Sequence, residues 1–392
     1  MSFKSPSPFP LQGRYADGNR WETLRGPGDA RPTALQIIKD EGLVSSLADK
    51  VIFVTGASSG MGPYMVRALA ATGATIYVGA RDIDKAKEAI GEDLIASNDD
   101  INGNDNGSGR VHILHLDQAD LSSVRACVAE FIKHVASSSS AQGKQKGPQL
   151  NILINNAGVM RTPEQRTKDG YELQFATNHL SHFLLFWLLK DIMLASATPE
   201  FPSRVVNTTS AGHKAAPLDL EALNPEKEGA YDPWIAYIQS KISNIYMASQ
   251  ITRLHGNQNL YGFSATPGSF VSPNLQQHCT PEELSGWKSD PRLAVSYYNY
   301  EQACATAVYG ALAQEPINFV KAQNRGKGEA STGLYLEGSA VAGPVPKDAV
   351  DLLEYGHAEW AFDADKEAKL WNLSKKLVGV EQTIGTVDEV SM

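Results

Sequence analysis

The fold this sequence predicts is a single doubly wound α/β domain, a parallel sheet with helices on both faces, and two observations predict it. From Lys50 onward, short apolar runs alternate with longer amphipathic segments, as strands joined by crossover helices do. The runs themselves are nearly continuous in Val, Ile and Leu, which is what strands covered on both faces require.

In chain order the elements are VIFVT and a helix over 61–72, TIYVG and 83–95, VHILHL and 120–135, NILIN and 170–196, RVVNT and 235–254, and then YGFSAT. Residues 1–48 form an N-terminal extension. It is rich in Pro and Gly and is followed, after Pro32, by a short helix in TALQIIKDEGL. The main domain is expected over 49–345. The tail 346–392 carries LLEYGHAEW and EAKLWNLSKKL, read as helices packed on the domain. Segments 97–110 and 137–148 are polar, turn-rich and aperiodic, and read as surface insertions.

With 392 residues, 42% of them hydrophobic, one enlarged domain can hold a sizeable core. The net charge of −9 offers little attraction to nucleic acid or anionic lipid. Neither a signal peptide nor a membrane span is expected, and three scattered cysteines suit a reducing, cytoplasmic setting. The His179/His182 and His112/His115 pairs lack the further ligands zinc would need, so no metal site is expected.

The first strand runs into Thr55-Gly56-Ala57-Ser58-Ser59-Gly60-Met61-Gly62 and then an amphipathic helix. Glycines there let the backbone approach a pyrophosphate, whose charge meets the free N–H groups and positive dipole of the helix start. The second strand ends at Gly79-Ala80-Arg81, with no carboxylate where an acid would grip a ribose 2′-OH. A guanidinium in that place can pair with a 2′-phosphate, which favours NADP (NADPH) over NAD; otherwise Arg81 is simply a solvated helix residue. Asn155-Asn156-Ala157-Gly158 closes the fourth strand with a turn small enough to lie beside a cofactor. Tyr237 and Lys241 share one helix face at i and i+4. An ammonium near a phenol brings an ordinary pKa of about 10 toward usefulness in acid/base catalysis. Taken alone, that spacing is also common on solvated helices.

The ordered set of TGASSGMG, Asp117, NNAG, Asn178, Ser210, YIQSK and Pro267-Gly268 resembles the short-chain dehydrogenase/reductase family. The resemblance covers roughly 48–340, and ELQFATNHLSHFLL, RVVNTTSAGH and EQACATAVYGALA are most similar to its retinol dehydrogenase and protochlorophyllide reductase branch. It implies a Rossmann fold and an NADP-dependent interconversion of carbonyl and alcohol. Tyr237 would exchange the substrate proton, Lys241 would lower its pKa and hold the nicotinamide ribose, Ser210 would bond the substrate oxygen, and Asn178 would position a relaying water. Gly56, Ser58, Gly60 and Gly62 would surround the pyrophosphate, with Ser59, Met61 and Ala157 also cofactor-binding. Asp117 would meet the adenine, Asn156 and Gly158 the cofactor's centre, and Pro267, Gly268 and Ser272 the nicotinamide.

The resemblance also implies a substrate lid at about 273–300 within the catalytic domain 49–345; it carries Trp287, Tyr297, Tyr298 and Tyr300, which suit a flat or greasy carbonyl substrate or serve only to pack the lid. The resemblance implies helix pairing across a dimer axis, but 214–234 could obstruct it, leaving monomer or homodimer open. Two other functions fit the same residues. A cyclase or epimerase would form product with no change in nicotinamide absorbance, and an NADP-sensing regulator would tolerate erosion of the catalytic set.

Overall fold

The computed structural model describes residues 3–96, 110–141, 147–225, 227, 229–323, 333–346 and 352–381. The expected strands form as Val51–Thr55 (β2), Thr75–Ala80 (β3), Val111–His115 (β4), Ile152–Asn155 (β5), Ser203–Thr208 (β6) and Leu260–Ala265 (β7). Leu11–Gln12 (β1), Leu334–Glu337 (β8) and Ala340–Ala342 (β9) complete one sheet in the order β1-β9-β8-β7-β6-β5-β2-β3-β4. Strands β2 to β8 are parallel, whereas β9 and β1 add antiparallel at one edge.

Helices cover both faces, as the strand composition requires. On one face pack Ala34–Asp40 (α1), Gly62–Ala70 (α2), Ile83–Ile90 (α3), and, from later in the chain, Ala305–Leu312 and Gln314–Gln323; on the other lie Leu121–Ala141 (α4), Ser181–Ser196, Pro233–His255 and Ala364–Leu377. Ile52 and Val54 belong to the first core and Phe53 to the second, so a single strand feeds both. A three-residue turn, Leu173–Phe175 (α5), and a π-helical turn, Ala176–Leu180, lead into Ser181–Ser196 (α6). Next come Pro233–His255 (α7), Pro281–Ser289 (α8), Pro291–Ser296 (α9) and Tyr300–Ala303 (α10), then Ala305–Leu312 (α11), Gln314–Gln323 (α12) and Ala364–Leu377 (α13). Strand β2 pairs with β3 on one side and β5 on the other. Loops leaving the carboxyl ends therefore diverge there and open a crevice.

Three local expectations are corrected. The 83–95 helix stops at Ile90 because Gly91 takes φ 105°, and a 3-10 turn follows at Glu92–Leu94. LLEYGHAEW is not a helix over 352–358: Gly356 sits at φ 116° beside the Val345 backbone, and only Glu359–Ala361 coils, as a 3-10 turn. Helix α4 runs on to Ala141, because no Gly or Pro interrupts the serine run before Gly143. The remainder of the two expected insertions, 97–109 and 142–146, lies outside the described residues.

The N-terminal extension and the helix of the tail are both built into the sheet's packing. Asn19 donates to Gly338 O at 2.8 Å, and the buried Arg31 donates to Ser296 O and Tyr297 O at 2.7 Å each. Helix α13 lies along α6 and α7, its Trp371 ring 4.9 Å from Phe183 and 6.0 Å from Phe186. Truncating such a buried aromatic typically costs about 3–5 kcal/mol. Helix α7 is consequently buried from Ala236 to Thr252, which is why its sequence shows no clean polar face.

Candidate active site

The crevice at the strand carboxyl ends is a groove of about 510 Å³ that runs from the β3–α3 turn to the start of α7. Close backbone contact sets the floor. A Cβ on Gly56, which has φ 72°, would stand 2.6 Å from Ala157 Cα, and one on Gly62 would stand 2.1 Å from Gly56 O. The glycines are therefore required first by the approach of the β2 turn to the β5 turn, and the surface they leave open is backbone. Thr55 locks the two turns together: its Oγ1 accepts from Asn156 N and Ala157 N at 3.0 Å each, while the Asn156 amide donates back to Thr55 O and Gly56 O.

With both N–H bonds accepted, the Thr55 hydroxyl gives its proton to His182 Nε2 at 2.9 Å, which leaves His182 Nδ1–H to donate to Asn178 O at 3.0 Å. The π-helical turn that carries Asn178 is thus tied to the glycine turn, and such turns recur at functional sites. The Asn178 side chain accepts from Val159 N at 2.8 Å and donates to Val159 O and to Ser240 Oγ at 2.9 Å. Its amide holds the loop after β5 and does not line the groove.

At the α7 end, Asp232 caps the helix and Pro233 fills its first turn, which fixes Tyr237 one turn in. Tyr237 is 6% exposed, and its hydroxyl is hydrogen-bonded to Ser210. Burial pushes the phenol up to about 12, against the opposing pull of that Ser210 bond. Burial also pulls Lys241 down to about 8. Its ammonium donates to Thr208 O at 3.4 Å and lies 5.6 Å from the centre of the Tyr237 ring. The ammonium thus faces the ring and the strand end, and desolvation decides the phenol's acidity. Ser210 caps the turn Ala211–Lys214, and its carbonyl accepts from His213 Nδ1 at 2.7 Å.

At the far end stand Arg81, Asp82 and Lys85, all exposed, with the Asp82 carboxylate engaged as the N-cap of α3. An acid in place of Gly79 has no room, since a Cβ there would stand 2.5 Å from Leu116. Gly56, Ser58, Ser59, Gly60, Met61 and Gly62 line the groove, as do Arg81 and Asp117. So do Asn156, Ala157 and Gly158 from the β5 turn, Tyr237 and Lys241 from α7, and Pro267 and Ser272 after β7. Gly268 does not line it: at φ 70°, a Cβ there would strike the Tyr298 ring at 2.3 Å. Ser210 reaches the site only through its bond to Tyr237.

Four groove-lining side chains keep a buried polar atom with no partner among the described residues: Gln118 Nε2, Asn156 Oδ1, Thr177 Oγ1 and Thr208 Oγ1. Unpartnered buried polar atoms are costly, so a polar ligand along the groove fits them.

The buried histidines around the site make acid conditions costly. Burial holds His179 near 3, His182 near 4 and His213 near 3. All three lie below the ordinary value of about 6.5, so the unfolded chain binds protons the folded chain refuses. Their contribution to stability is complete above about pH 6.5 and is lost as the pH falls toward 4–3. Thermal unfolding followed by calorimetry should show the midpoint falling by roughly 5 °C or more between pH 7 and pH 5.

The family model for short chain dehydrogenase matches residues 50–218. The short-chain dehydrogenase/reductase prx1 of Penicillium roqueforti is 41% identical over 357 residues, covering 91% of this chain and 93% of that protein. The chain belongs to the short-chain dehydrogenase/reductase family. Retinol dehydrogenase 14 of Mus musculus is 32% identical, over 93% of this chain and 95% of its own. An uncharacterised protein from Mycobacterium paratuberculosis, known from a crystal structure, superposes with a TM-score of 0.56 at 27% identity, covering 87% of this chain and 97% of that one. The family consists of oxidoreductases that use nicotinamide cofactors. Among the described residues no helix is long and apolar enough to cross a membrane.

Several groove residues of this member of the short-chain dehydrogenase/reductase family are not singled out by the sequence. Lys85 follows Arg81 at i+4 across the start of α3, a spacing that could have found it. Thr177, Thr208, Phe270 and Gln277 carried no local signal, because only the fold brings them to the groove.

Proposed function

We propose that this chain is an NADP(H)-dependent oxidoreductase that interconverts a carbonyl and an alcohol on a hydrophobic small molecule. The observation that carries the reading is one groove with a guanidinium and an ammonium, Arg81 and Lys85, at one end and the Ser210–Tyr237 hydroxyl pair with Lys241 at the other. The cofactor supplies or accepts hydride when bound, and four unpartnered polar atoms on groove-lining residues support a polar ligand there. Gly56 to Gly62 would hold its pyrophosphate, Asp117 its adenine end, and Asn156, Gly158, Pro267 and Ser272 its central and nicotinamide portions.

In the reduction direction Ser210 holds the carbonyl oxygen and Tyr237 gives that oxygen a proton from its Oη. A phenol held near 12 is protonated throughout the neutral range and is still far more acidic than an alcohol, so its proton moves downhill to an oxygen that gains negative charge. Oxidation runs the same steps backward, with the Tyr237 oxygen taking the alcohol's proton. Lys241 supplies positive charge as the phenol gives up its proton. On the substrate side, Trp234 stands 6.2 Å from both Tyr237 and Trp287 and offers an aromatic wall. Tyr298 and Tyr300 pack the base of the lid, Tyr298 against Arg31 and Tyr300 against Tyr64.

NADPH consumption by the purified chain against a panel of apolar and polar carbonyls tests the reading, which fails if only small hydrophilic compounds, or none, are reduced. Arg81→Ala should weaken NADPH binding by about 10-fold to 100-fold and leave NADH binding nearly unchanged, since it removes a charge-assisted bond that only the 2′-phosphate can accept. Titration of both cofactors by fluorescence measures this, and equal losses for the two would refute the assignment to the phosphate.

A further inference from the structure

The lid between β7 and α11 is held by two ends of different construction. The rear end is bound through several buried groups. Arg31 bonds Ser296 O and Tyr297 O, the Tyr298 hydroxyl donates to Asn19 Oδ1 at 3.0 Å, and Arg292 pairs with Glu354 at 2.6 Å. The front end is α8, which contributes no buried residue to any core. Two groups tie α8 to the body: the Trp287 ring, edge-on to Trp234 at 6.2 Å, and the carboxylate of Glu283, which alone among the described residues makes polar bonds there. Its Oε1 accepts from Trp234 Nε1 at 3.1 Å, and its Oε2 accepts from Arg161 Nη1. The same Oε2 accepts from Thr280 N at 2.7 Å, completing the helix's own capping box.

Both body partners stand next to the proposed reacting centre. Trp234 lies one turn before Tyr237, its ring 6.2 Å from the tyrosine's. Arg161 follows the β5 turn and is stacked over Trp234, 5.1 Å from the ring centre. Its backbone is at φ 54°, strained for a non-glycine residue, and is held there by Arg161 N donating to Gln174 Oε1 at 2.8 Å. Cys279, just ahead of α8, is close enough to Arg161 for the guanidinium to pull its thiol down against the larger effect of burial. The ion pair is only partly shielded, with Arg161 14% and Glu283 27% exposed. A pair of that kind is weak enough to open and reclose reversibly.

We propose that Glu283 is the latch of a substrate lid: while its carboxylate bonds Arg161 and Trp234, α8 is closed beside Tyr237, and release of that one group swings α8 about the fixed rear end to admit the carbonyl compound. The inference rests on the proposed reaction for what enters, and on the contacts alone for how the lid is held. Glu283 and Arg161 are thus positioning residues.

The test uses the full-length chain carrying Glu283→Gln, and separately the charge exchange Glu283→Arg with Arg161→Glu. Amide hydrogen exchange over 280–289, without any ligand, should speed up by about 10-fold in Glu283→Gln, while exchange in the sheet stays the same. The carbonyl KM should rise by about 5-fold or more with NADPH affinity changed by less than about 2-fold, and the charge exchange should restore part of both effects. Unchanged exchange over 280–289 overturns the latch, as does faster exchange with an unaltered carbonyl KM. Should the wild-type chain reduce no carbonyl, the proposed reaction fails by itself, and exchange in the two variants still decides whether Glu283 holds the lid.

Discussion

Tyr237→Phe is expected to bind NADPH as tightly as the wild-type chain and to reduce carbonyls about 10²-fold to 10⁴-fold more slowly, the range for removing a positioned acid. The substitution deletes one oxygen and leaves the ring, which is where Tyr237 contacts Trp234 and Lys241. The loss should therefore appear in kcat and not in stability: the deleted hydroxyl's protein partner, Ser210, keeps its bond from Gly212 N at 3.1 Å. Stopped-flow single turnovers at saturating NADPH separate the two effects. A variant with wild-type single-turnover rates would remove Tyr237 from the chemistry.

Lys241→Met should lower kcat by about 10²-fold to 10³-fold, because it removes the one positive charge close to the phenol in a dry site. A pH signature accompanies it. Burial brings Lys241 down to about 8, so the useful, protonated ammonium is lost as the pH rises through that value. The wild-type rate of carbonyl reduction should fall on that limb, whereas the residual rate of Lys241→Met should be flat across it. Tyr237, near 12, does not titrate in that range and so cannot produce the limb. An identical falling limb in both proteins would assign it to another group and contradict this role for Lys241.

The sheet was legible because its strands are buried on both faces: VIFVT and NILIN read as strands in any context, and β2 and β5 are where they lie. The glycine turn was legible too, although its reason is sharper in three dimensions. Gly56 and Gly62 are forced by the Ala157 and Gly56 backbones, whatever ligand lies above them. Edge strand β1 left no trace in the sequence, since two residues show no periodicity and its partner Val341–Ala342 lies over 300 positions away. In the tail EAKLWNLSKKL forms α13 as expected, whereas LLEYGHAEW does not coil for a local reason, Gly356 at a positive φ inside an apolar, helix-like run.

Within the site, residue types were legible and their duties less so. Tyr237 and Lys241 do share one end of the groove, where burial raises the phenol and lowers the ammonium that faces its ring. Asn178 was picked out for the site, yet its side chain holds the Val159 backbone. Glu283 carried no signal of its own in the sequence. Its bonds to Arg161 and Trp234 join three separate stretches of chain, and no local pattern announces such a meeting.

The reaction itself is tested most directly by following the hydride. With NADPH carrying deuterium at nicotinamide C4, one deuterium should appear on the carbon that bears the new hydroxyl for each NADPH oxidised, and the transfer should all but vanish in Tyr237→Phe. Product formed without deuterium and without loss of nicotinamide absorbance would contradict the account, for the groove would then serve chemistry with no net redox change.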